Sequence, residues 1–570
     1  MAALSTSALF TASPSLAQSV PIAPTRDELT RDQPTPETRP PSLNVVGDIE
    51  RSPCPLADPK FADVRLTIND VVFNNLKGAS VDEMRAAWVP FANTERPVAV
   101  ICEIRDAAAT MLRNKGYLAA VQVPTQKIEN GVVRLEVLYA RVTTVRARGQ
   151  IGGAEEKIAG YLSKLTEDEI FDRYRAERYL VLARDLPGYN VQLTLKPAGT
   201  GPGELIGEVS VLRRPYAVDV TVQNLAARQT GPWGGQVRAQ AFGLTGLGDA
   251  TYVSLYSTAD TDEQQIVQVG HSFRPGSEGL TIDGQFTYAW TKPDIDAASI
   301  VPDIKARTLF ATLGAFYPFQ RTQGANLTLG GGFDFINQKV DFFGPLTNDK
   351  LRVIWLRGEV DGVDLSSRRP KWRYGATLEV RKGLDIFDAS QSCSEGGCGA
   401  GSVPPSRIDG NPTATVVRAA ASGELVLGKS FAIALDPRAQ YAFDPLLSFE
   451  EFTAGNYTVG RGYDPATLAG DSGVGVAAEL RGPHLSPMKR SNLLVQPYIF
   501  ADAAWVWNKN FNGDPEHLLS VGGGMRADLG DRLHIDAVVA VPTEKAGLLN
   551  RRGDTRFLLT FTSRLLPWRS

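Results

Sequence analysis

The segment Gly455–Gly473 (GNYTVGRGYDPATLAGDSG) sets five glycines in nineteen residues around one arginine, Arg461, with Tyr463 two positions on. Glycines allow positive φ and close backbone approach, and Arg461 is the one cation embedded among them. A guanidinium is a rigid fork of donors matched to a carboxylate. The plainer reading of the same residues is a solvated loop tip. Asp471-Ser472 with His484 invites a nucleophile reading, but the serine sits in a Gly-rich loop and no third group orients a base. The chain contains no Gly-x-x-x-x-Gly-Lys-Ser/Thr, no His-Glu-x-x-His and no Gly-x-Ser-x-Gly. Enzymatic chemistry is therefore not expected. With four His and four Cys in 570 residues, neither a metal nor a cofactor is expected either.

The cysteines point to an oxidising compartment. Cys393 and Cys398 lie in SQSCSEGGCGAG, a polar, Gly-rich loop whose four-residue spacer can close a small disulfide ring. Half of a metal site is the alternative, but no His or second Cys pair is near. Cys54 and Cys102 remain, and an even count suits a second bridge. A buried core thiol at Cys102 is the competing reading.

Composition narrows what can position these residues. The chain is 43% hydrophobic and 22% charged, with a formal net charge of −3. It has no global electrostatic reason to bind nucleic acid. No apolar run approaches the roughly 20 residues of a membrane helix. A membrane barrel stays open, because its strands are short and alternate.

Residues 1–17 (MAALSTSALFTASPSLA) read as a signal peptide cut after Ala17, though without a basic n-region. Residues 18–60 form a Pro-rich linker, in which Thr25–Asp32 could make a helical turn or two. Residues 61–140 show strand, helix, helix, strand, strand. Val64–Leu76 is a β-branched, alternating strand, and Ser80-Val81-Asp82-Glu83 is a capping box opening a helix over Val81–Val89. A second helix opens at Pro97 and ends at Lys115-Gly116. Strands over Leu118–Val123 and Val132–Leu138 follow, with Asn130-Gly131 as a hairpin signal. The order recurs over 141–214: strand Val142–Arg148, helices Ala154–Leu165 and Asp172–Asp185, strands Asn190–Lys196 and Glu204–Leu212.

From residue 215 to 570 helical periodicity vanishes. Tyr216, Val218, Val220 and Val222 alternate with Ala217, Asp219, Thr221 and Gln223. Strands of about ten residues with aromatic ends, such as Tyr288 and Trp290 or Trp505 and Trp507, fit a bilayer-crossing barrel. Tight turns (Gly243–Asp249, Arg274–Gly279) separate longer polar loops (Asp294–Asp303, Ser390–Asn411). The length accommodates sixteen strands at about 22 residues each, and fourteen or eighteen nearly as well. The last strand is expected over Arg556–Leu565, with Leu566–Ser570 trailing beyond it.

Together GYLAAVQVPTQKIENGVVRLEV (Gly116–Val137) and ERYLVLARDLPGYNVQLTL (Glu177–Leu195) resemble the paired POTRA modules of two-partner secretion (TpsB) transporters, which include hemolysin secretion/activation proteins. The landmarks are Gly116, Tyr117, Pro124 and Gln126 in the first module and Leu186, Pro187 and Gly188 in the second. Gly460-Arg461-Gly462-Tyr463 resembles the signature of that family's sixth extracellular loop. The resemblance implies α+β POTRA modules followed by an all-β transmembrane barrel of 16 strands. It also implies that the loop folds into the lumen and that Arg461 meets an inward carboxylate. The implied partner is Asp502, beside Phe500 in QPYIFADAAWVWN, where Ala504 replaces the family's glycine and leaves the packing there open. Parity agrees: Tyr498, Phe500, Asp502 and Ala504 share one face, Ile499, Ala503, Trp505 and Trp507 the other. An ordinary channel-lining acid is the plainer reading of Asp502.

What the resemblance implies functionally is a monomeric outer-membrane protein of a Gram-negative bacterium, with its modules in the periplasm. It would bind an extended, β-helix-forming exoprotein and pass it through the barrel. Its further partners would be outer-membrane lipid and, during biogenesis, the barrel-assembly machinery. The family's N-terminal plug helix has room here only as a short helix plus linker. The rival readings are an outer-membrane assembly or insertase factor of the same superfamily, a passive porin and a surface-display anchor.

Overall fold

The computed structural model describes residues 23–30, 43–45 and 54–566, apart from 151, 202, 295–302, 368, 394–397, 400, 429, 488–491, 511–512 and 548–550. The expected signal peptide and most of loop Asp294–Asp303 lie outside the described residues.

Sixteen antiparallel strands, from Tyr216–Gln223 to Arg556–Leu566, close into a barrel. The first and last strands pair across the seam, from Val218 with Leu566 to Gln223 with Thr560. Leu566 thus belongs to the final strand rather than trailing beyond it, because the first strand extends far enough to pair with it. Closure satisfies every strand edge, which lipid could not do. Along the thirteenth strand, Leu493–Trp507, Tyr498, Phe500, Asp502, Ala504 and Val506 are buried while Ile499, Ala501 and Trp505 are exposed. The outward set elsewhere is apolar, including Val253, Phe286, Leu356, Leu378 and Phe557. The inward set carries charge, including Asp334, Glu379, Arg381 and Glu479. No helix among the described residues is long and apolar enough to cross a membrane.

The first module has a three-stranded sheet: Val132–Tyr139 lies between Asp70–Asn74, which it parallels, and Ala119–Gln122, which it opposes. Helix Val100–Asn114 covers it, burying Ile101, Ile104, Ala108 and Leu112 against Val133, Leu135 and Val137. Three expectations need correcting. Val64–Leu76 is not one strand: Arg65–Thr67 pairs with Glu95–Pro97, Ile68 bridges to Ala92, and only Asp70–Asn74 joins the sheet. The capping box at Ser80 is present, but its α-helix stops at Met84 and continues as two 3₁₀ turns. Pro90, which cannot donate a backbone hydrogen bond, lies in the second of these turns. The next helix starts at Val100, because Pro97 is held in the short strand opposite Arg65.

In the second module, Glu204–Arg213 lies between Arg141–Gly149 and Tyr189–Pro197, beneath helices Glu155–Ser163 and Arg173–Arg184. Its sheet has a fourth strand that the sequence did not suggest. Leu43–Val45, from the Pro-rich linker, lies parallel to Tyr189–Pro197, with Leu43 opposite Leu193 and Val45 opposite Leu195. Disulfides join Cys54 to Cys102 and Cys393 to Cys398. The first ties the end of the linker to the helix of the first module.

Candidate functional site: the barrel lumen

The loop between the eleventh and twelfth strands, Phe431–Ala442 and Ser472–Arg481, turns inward. Its small hairpin, Phe452–Ala454 with Leu468–Gly470, packs with Val459 and Tyr463 against Ala504, Val506 and Leu518 of the wall. Ala504 is fully buried there, and Gly475, opposite it on the twelfth strand, leaves room for Val459. The departure from the family pattern at Ala504 is therefore accommodated by a neighbouring glycine.

Arg461 meets Asp502. Its Nε lies 3.0 Å from Oδ2 and its Nη2 2.7 Å from Oδ1, while its own backbone N–H donates to Oδ2 at 2.9 Å. The guanidinium carbon sits 3.6 Å from the centroid of the Phe500 ring. Asp502 is 1% exposed, and Ser520 also donates to it. Bidentate, charge-assisted and stacked, this is the geometry in which arginine is not replaceable by lysine. The flanking residues make the approach possible. A Cβ on Gly462 would lie 2.8 Å from the backbone nitrogen of Pro542, and the Gly462 N–H donates to Ser520 Oγ at 3.2 Å. Gly460 lies against Leu518. The Tyr463 hydroxyl faces the carbonyls of Leu519 and Glu544, each 2.9 Å away.

Sequence reasoning missed the second carboxylate. Glu479 on the twelfth strand accepts from Arg461 Nη1 at 2.7 Å and is also held by Arg481 and Arg526 of the wall. Its signal was available, since Glu479 stands at the inward parity of an alternating strand. Asp471 and Ser472 do not form a nucleophilic centre. Asp471 accepts from Arg407 and from the Leu446 and Lys509 backbones, and Ser472 accepts from the Ala442 backbone. His484 lies beyond Arg481, at the other end of the twelfth strand.

A second insert fills the lumen beside this loop. Thr25 and Glu28 form a capping box on helix Arg26–Leu29. Leu29 is 1% exposed, packed with Tyr256, Ile266, Phe310, Ile336 and Phe449. Arg26 reaches Glu379 at 3.3 Å, and Asp27 accepts from Arg438 and from Thr453 of the inward loop. Gln268 and Gln338, on the fourth and seventh strands, donate to the Leu29 and Pro24 carbonyls. Glu379 also pairs with Arg357 and Arg381, and Arg381 further binds Glu450 and Asp334.

The module landmarks shape the approach to this lumen. Gly116 ends its helix with φ +95°, where a Cβ would strike the Tyr174 ring of the second module. Tyr117 stacks edge-on with Tyr139. Gln126, two residues past Pro124, donates to and accepts from the Arg134 backbone, standing in for a strand neighbour. Asn130-Gly131 is thus part of a nine-residue connection rather than a tight hairpin. Leu186-Pro187-Gly188 is the joint with the barrel: Leu186 is buried against the turn at Gly248, and Gly188 accepts from the Arg214 N–H. Asp185 beside it receives Arg321 bidentately at 2.6 and 2.8 Å. Between the modules, Lys77 and Glu169 pair at 2.7 Å, and this contact lowers the Glu169 pKa.

Among family models, one described as haemolysin secretion/activation protein ShlB/FhaC/HecB matches residues 209–527, and one described as POTRA domain, ShlB-type, matches residues 66–139. No curated protein sequence matches. Of solved structures, CdiB from Escherichia coli superposes with a TM-score of 0.73 at 15% identity, covering 91% of this chain and 94% of its own. CdiB from Acinetobacter baumannii gives 0.65 at 17%, covering 94% and 95%. BamA from Haemophilus ducreyi lacking POTRA domains 1–3 gives 0.50 at 14%, covering 88% and 100%. At these identities the likeness is one of fold.

Proposed function

This chain belongs to the haemolysin secretion/activation protein family ShlB/FhaC/HecB, and on that premise we propose that it exports one partner protein across the outer membrane of a Gram-negative bacterium. The modules bind the partner in the periplasm as an extended chain, and the barrel conducts it to the cell surface, where it folds, as a β-helix in our reading. No bond is broken in this reading; folding on the far side supplies the free energy. Arg461, Asp502 and Glu479 anchor the inward loop, and helix Arg26–Leu29 is the plug.

The observation that carries the proposal is the content of the lumen. Two segments of the chain's own sequence fill it, each tied to the wall by ion pairs. A passive pore has no use for such inserts or for the two modules. The fold shared with BamA supports a second reading, a factor that inserts other barrel proteins. Deleting the gene and comparing the culture medium with the outer membrane separates the two. Loss of one large exported protein supports secretion; broad loss of barrel proteins would refute it in favour of assembly.

A further inference from the structure

The outer face of the barrel changes character along one edge of one wall. On the sixth to ninth strands (Lys305–Arg321, Ala325–Phe342, Gly344–Val363 and Trp372–Gly383) the outward positions run apolar, through Leu313, Leu329, Leu356 and Leu378. At the end away from the modules they turn basic on each of the four: Arg307, Lys339, Lys350 with Arg352, and Lys382. Arg307 stands opposite Lys339. Lys350 is two residues beyond Asn348, the partner of Lys339, and Lys382 faces Ile354, two beyond Arg352. Opposed residues lie about 5 Å apart and diagonal ones about 7–8 Å, so the five cations form one continuous band.

Neighbouring rings fix the height of this band. Trp290, on the fifth strand Thr281–Thr291, is exposed and pairs with Arg307. Phe343, in the turn between the seventh and eighth strands, and Phe387, in the loop after the ninth, are exposed too, and Phe387 meets Phe333 of the outer wall edge-on. Exposed aromatic rings on a barrel mark the water–lipid interface, so the cations stand at headgroup height. Farther round, on the eleventh and thirteenth strands, the same edge carries Tyr441 and Trp505 instead.

Two features of the band ask for an anion. Like charges directly opposed on one face of a sheet are destabilising, yet Arg307 and Lys339 are so placed. Asp341 takes Arg307 at 2.6 Å and Asp388 pairs with Lys350, which leaves Lys339, Arg352 and Lys382 unmatched by a carboxylate among the described residues. Arg352 is 2% exposed and stacks on Phe335 at 3.5 Å. It donates to neutral oxygens, the carbonyls of Ile336, Leu351 and Phe387 and the Asn337 amide. Its charge is thus held in place without being neutralised, and adds to the field of the lysines.

Resting on the outer-membrane placement proposed above, we propose that this wall binds a phosphate-bearing lipid headgroup of the outer leaflet. Lys339, Lys350 and Lys382 hold the phosphates, and the apolar wall below them, with Phe333 and Phe387, takes the acyl chains. One side of the barrel is thereby anchored to a particular lipid.

The test uses the full-length protein in detergent, with bisphosphorylated lipid A as the probe and its dephosphorylated form as the comparison, read by native mass spectrometry. The triple variant Lys339→Gln, Lys350→Gln, Lys382→Gln removes three outward charges and leaves buried Arg352 alone. Each cation near a charged lipid surface contributes roughly a factor of five, so affinity for the bisphosphorylated probe is expected to fall at least about tenfold. Lys339→Glu alone, at an exposed position, should reproduce part of the loss, which misfolding of the triple variant would not explain. A control variant, Lys127→Gln with Arg146→Gln and Arg148→Gln, takes the same charge from exposed positions of the modules and is expected to bind as the wild type does. Equal binding by the wild type and the triple variant, an equal loss in the control, or indifference to the phosphates would each overturn the proposal. Recovery of the protein in the inner-membrane fraction would refute the outer-membrane placement and this proposal with it. Absence of lipid binding by a wild type that exports its partner would refute this proposal alone.

Discussion

Replacing Arg461 by alanine removes two hydrogen bonds to Asp502, one to Glu479 and the stacking on Phe500. The two carboxylates respond differently. Glu479 keeps Arg481 and Arg526. Asp502, 1% exposed, keeps only the Ser520 hydroxyl and the backbone N–H of residue 461. Breaking a buried pair by deleting one partner costs about 3–5 kcal/mol. The Arg461 side chain is 19% exposed, so the lower end applies, and about 3 kcal/mol of loop anchoring should be lost. That is a change of roughly a hundredfold in the equilibrium between seated and released loop. The assay is amide exchange over residues 455–473 in the full-length barrel, with export measured in parallel. Arg461→Ala should exchange about two orders of magnitude faster and export less, while the barrel remains folded in the membrane. Asp502→Asn should cost less than Arg461→Ala, and the double variant little more than Arg461→Ala alone, because both act on one contact. Additive effects, or loop exchange within twofold of wild type, would refute the assignment of Asp502 as the anchor.

Gly462→Ala should reproduce part of the Arg461→Ala phenotype, because its Cβ would meet the backbone of Pro542 at 2.8 Å, which cannot yield as a side chain would; normal loop exchange in this variant would contradict the close approach. Leu29→Asp places a carboxylate in the apolar seat formed with Phe310 and Ile336 and should raise single-channel conductance without lowering the barrel's melting temperature; a quiet channel would count against the plug. The Lys115 ammonium and the capping hydrogen bonds to Ser80 hold Glu83 down to about 2. A depressed acid contributes stability that is present above its unfolded value, near 4.3, and is lost as pH falls through its folded one. The Lys115→Met substitution should therefore move the acid end of the first module's stability profile upward in pH, and an unshifted profile would show that Glu83 is not a contributor.

How far the sequence reached depended on the kind of signal. Strands of the barrel were legible because inside and outside alternate with period two, and the second module because its helices and strands carry undisturbed periodicity. The pairing of Arg461 with Asp502 could be expected only through the family resemblance, since 41 residues separate them and nothing local links them. Glu479 was legible in principle, being an inward charge on an alternating strand, but parity does not say which of several lumen charges a loop will choose. The first module misled at Val64–Leu76, where a continuous β-branched pattern hides a change of partner at Ile68. Strand Leu43–Val45 was invisible: three residues in a Pro-rich stretch have no periodicity, and their conformation is dictated by the edge they meet.

The lumen charges explain why inserts can be held firmly and still leave. An apolar plug would be held by area, at about 25 cal/mol per Å², and nothing on departure would offset that loss. An ion pair exchanges one set of charged partners for water at small net cost, provided no buried charge is orphaned. Glu379 meets this condition: when Arg26 departs, Arg357 and Arg381 remain on it. Glu479 meets it too, through Arg481 and Arg526. Asp502 does not, because its cation is Arg461. The helix is therefore the insert whose leaving strands no wall carboxylate, and the loop is the one whose leaving does. For the proposed export that asymmetry predicts an order: the helix withdraws first, leaving the wall carboxylates paired while Arg438 gives up Asp27 to water, and the loop stays seated until something replaces the arginine at Asp502.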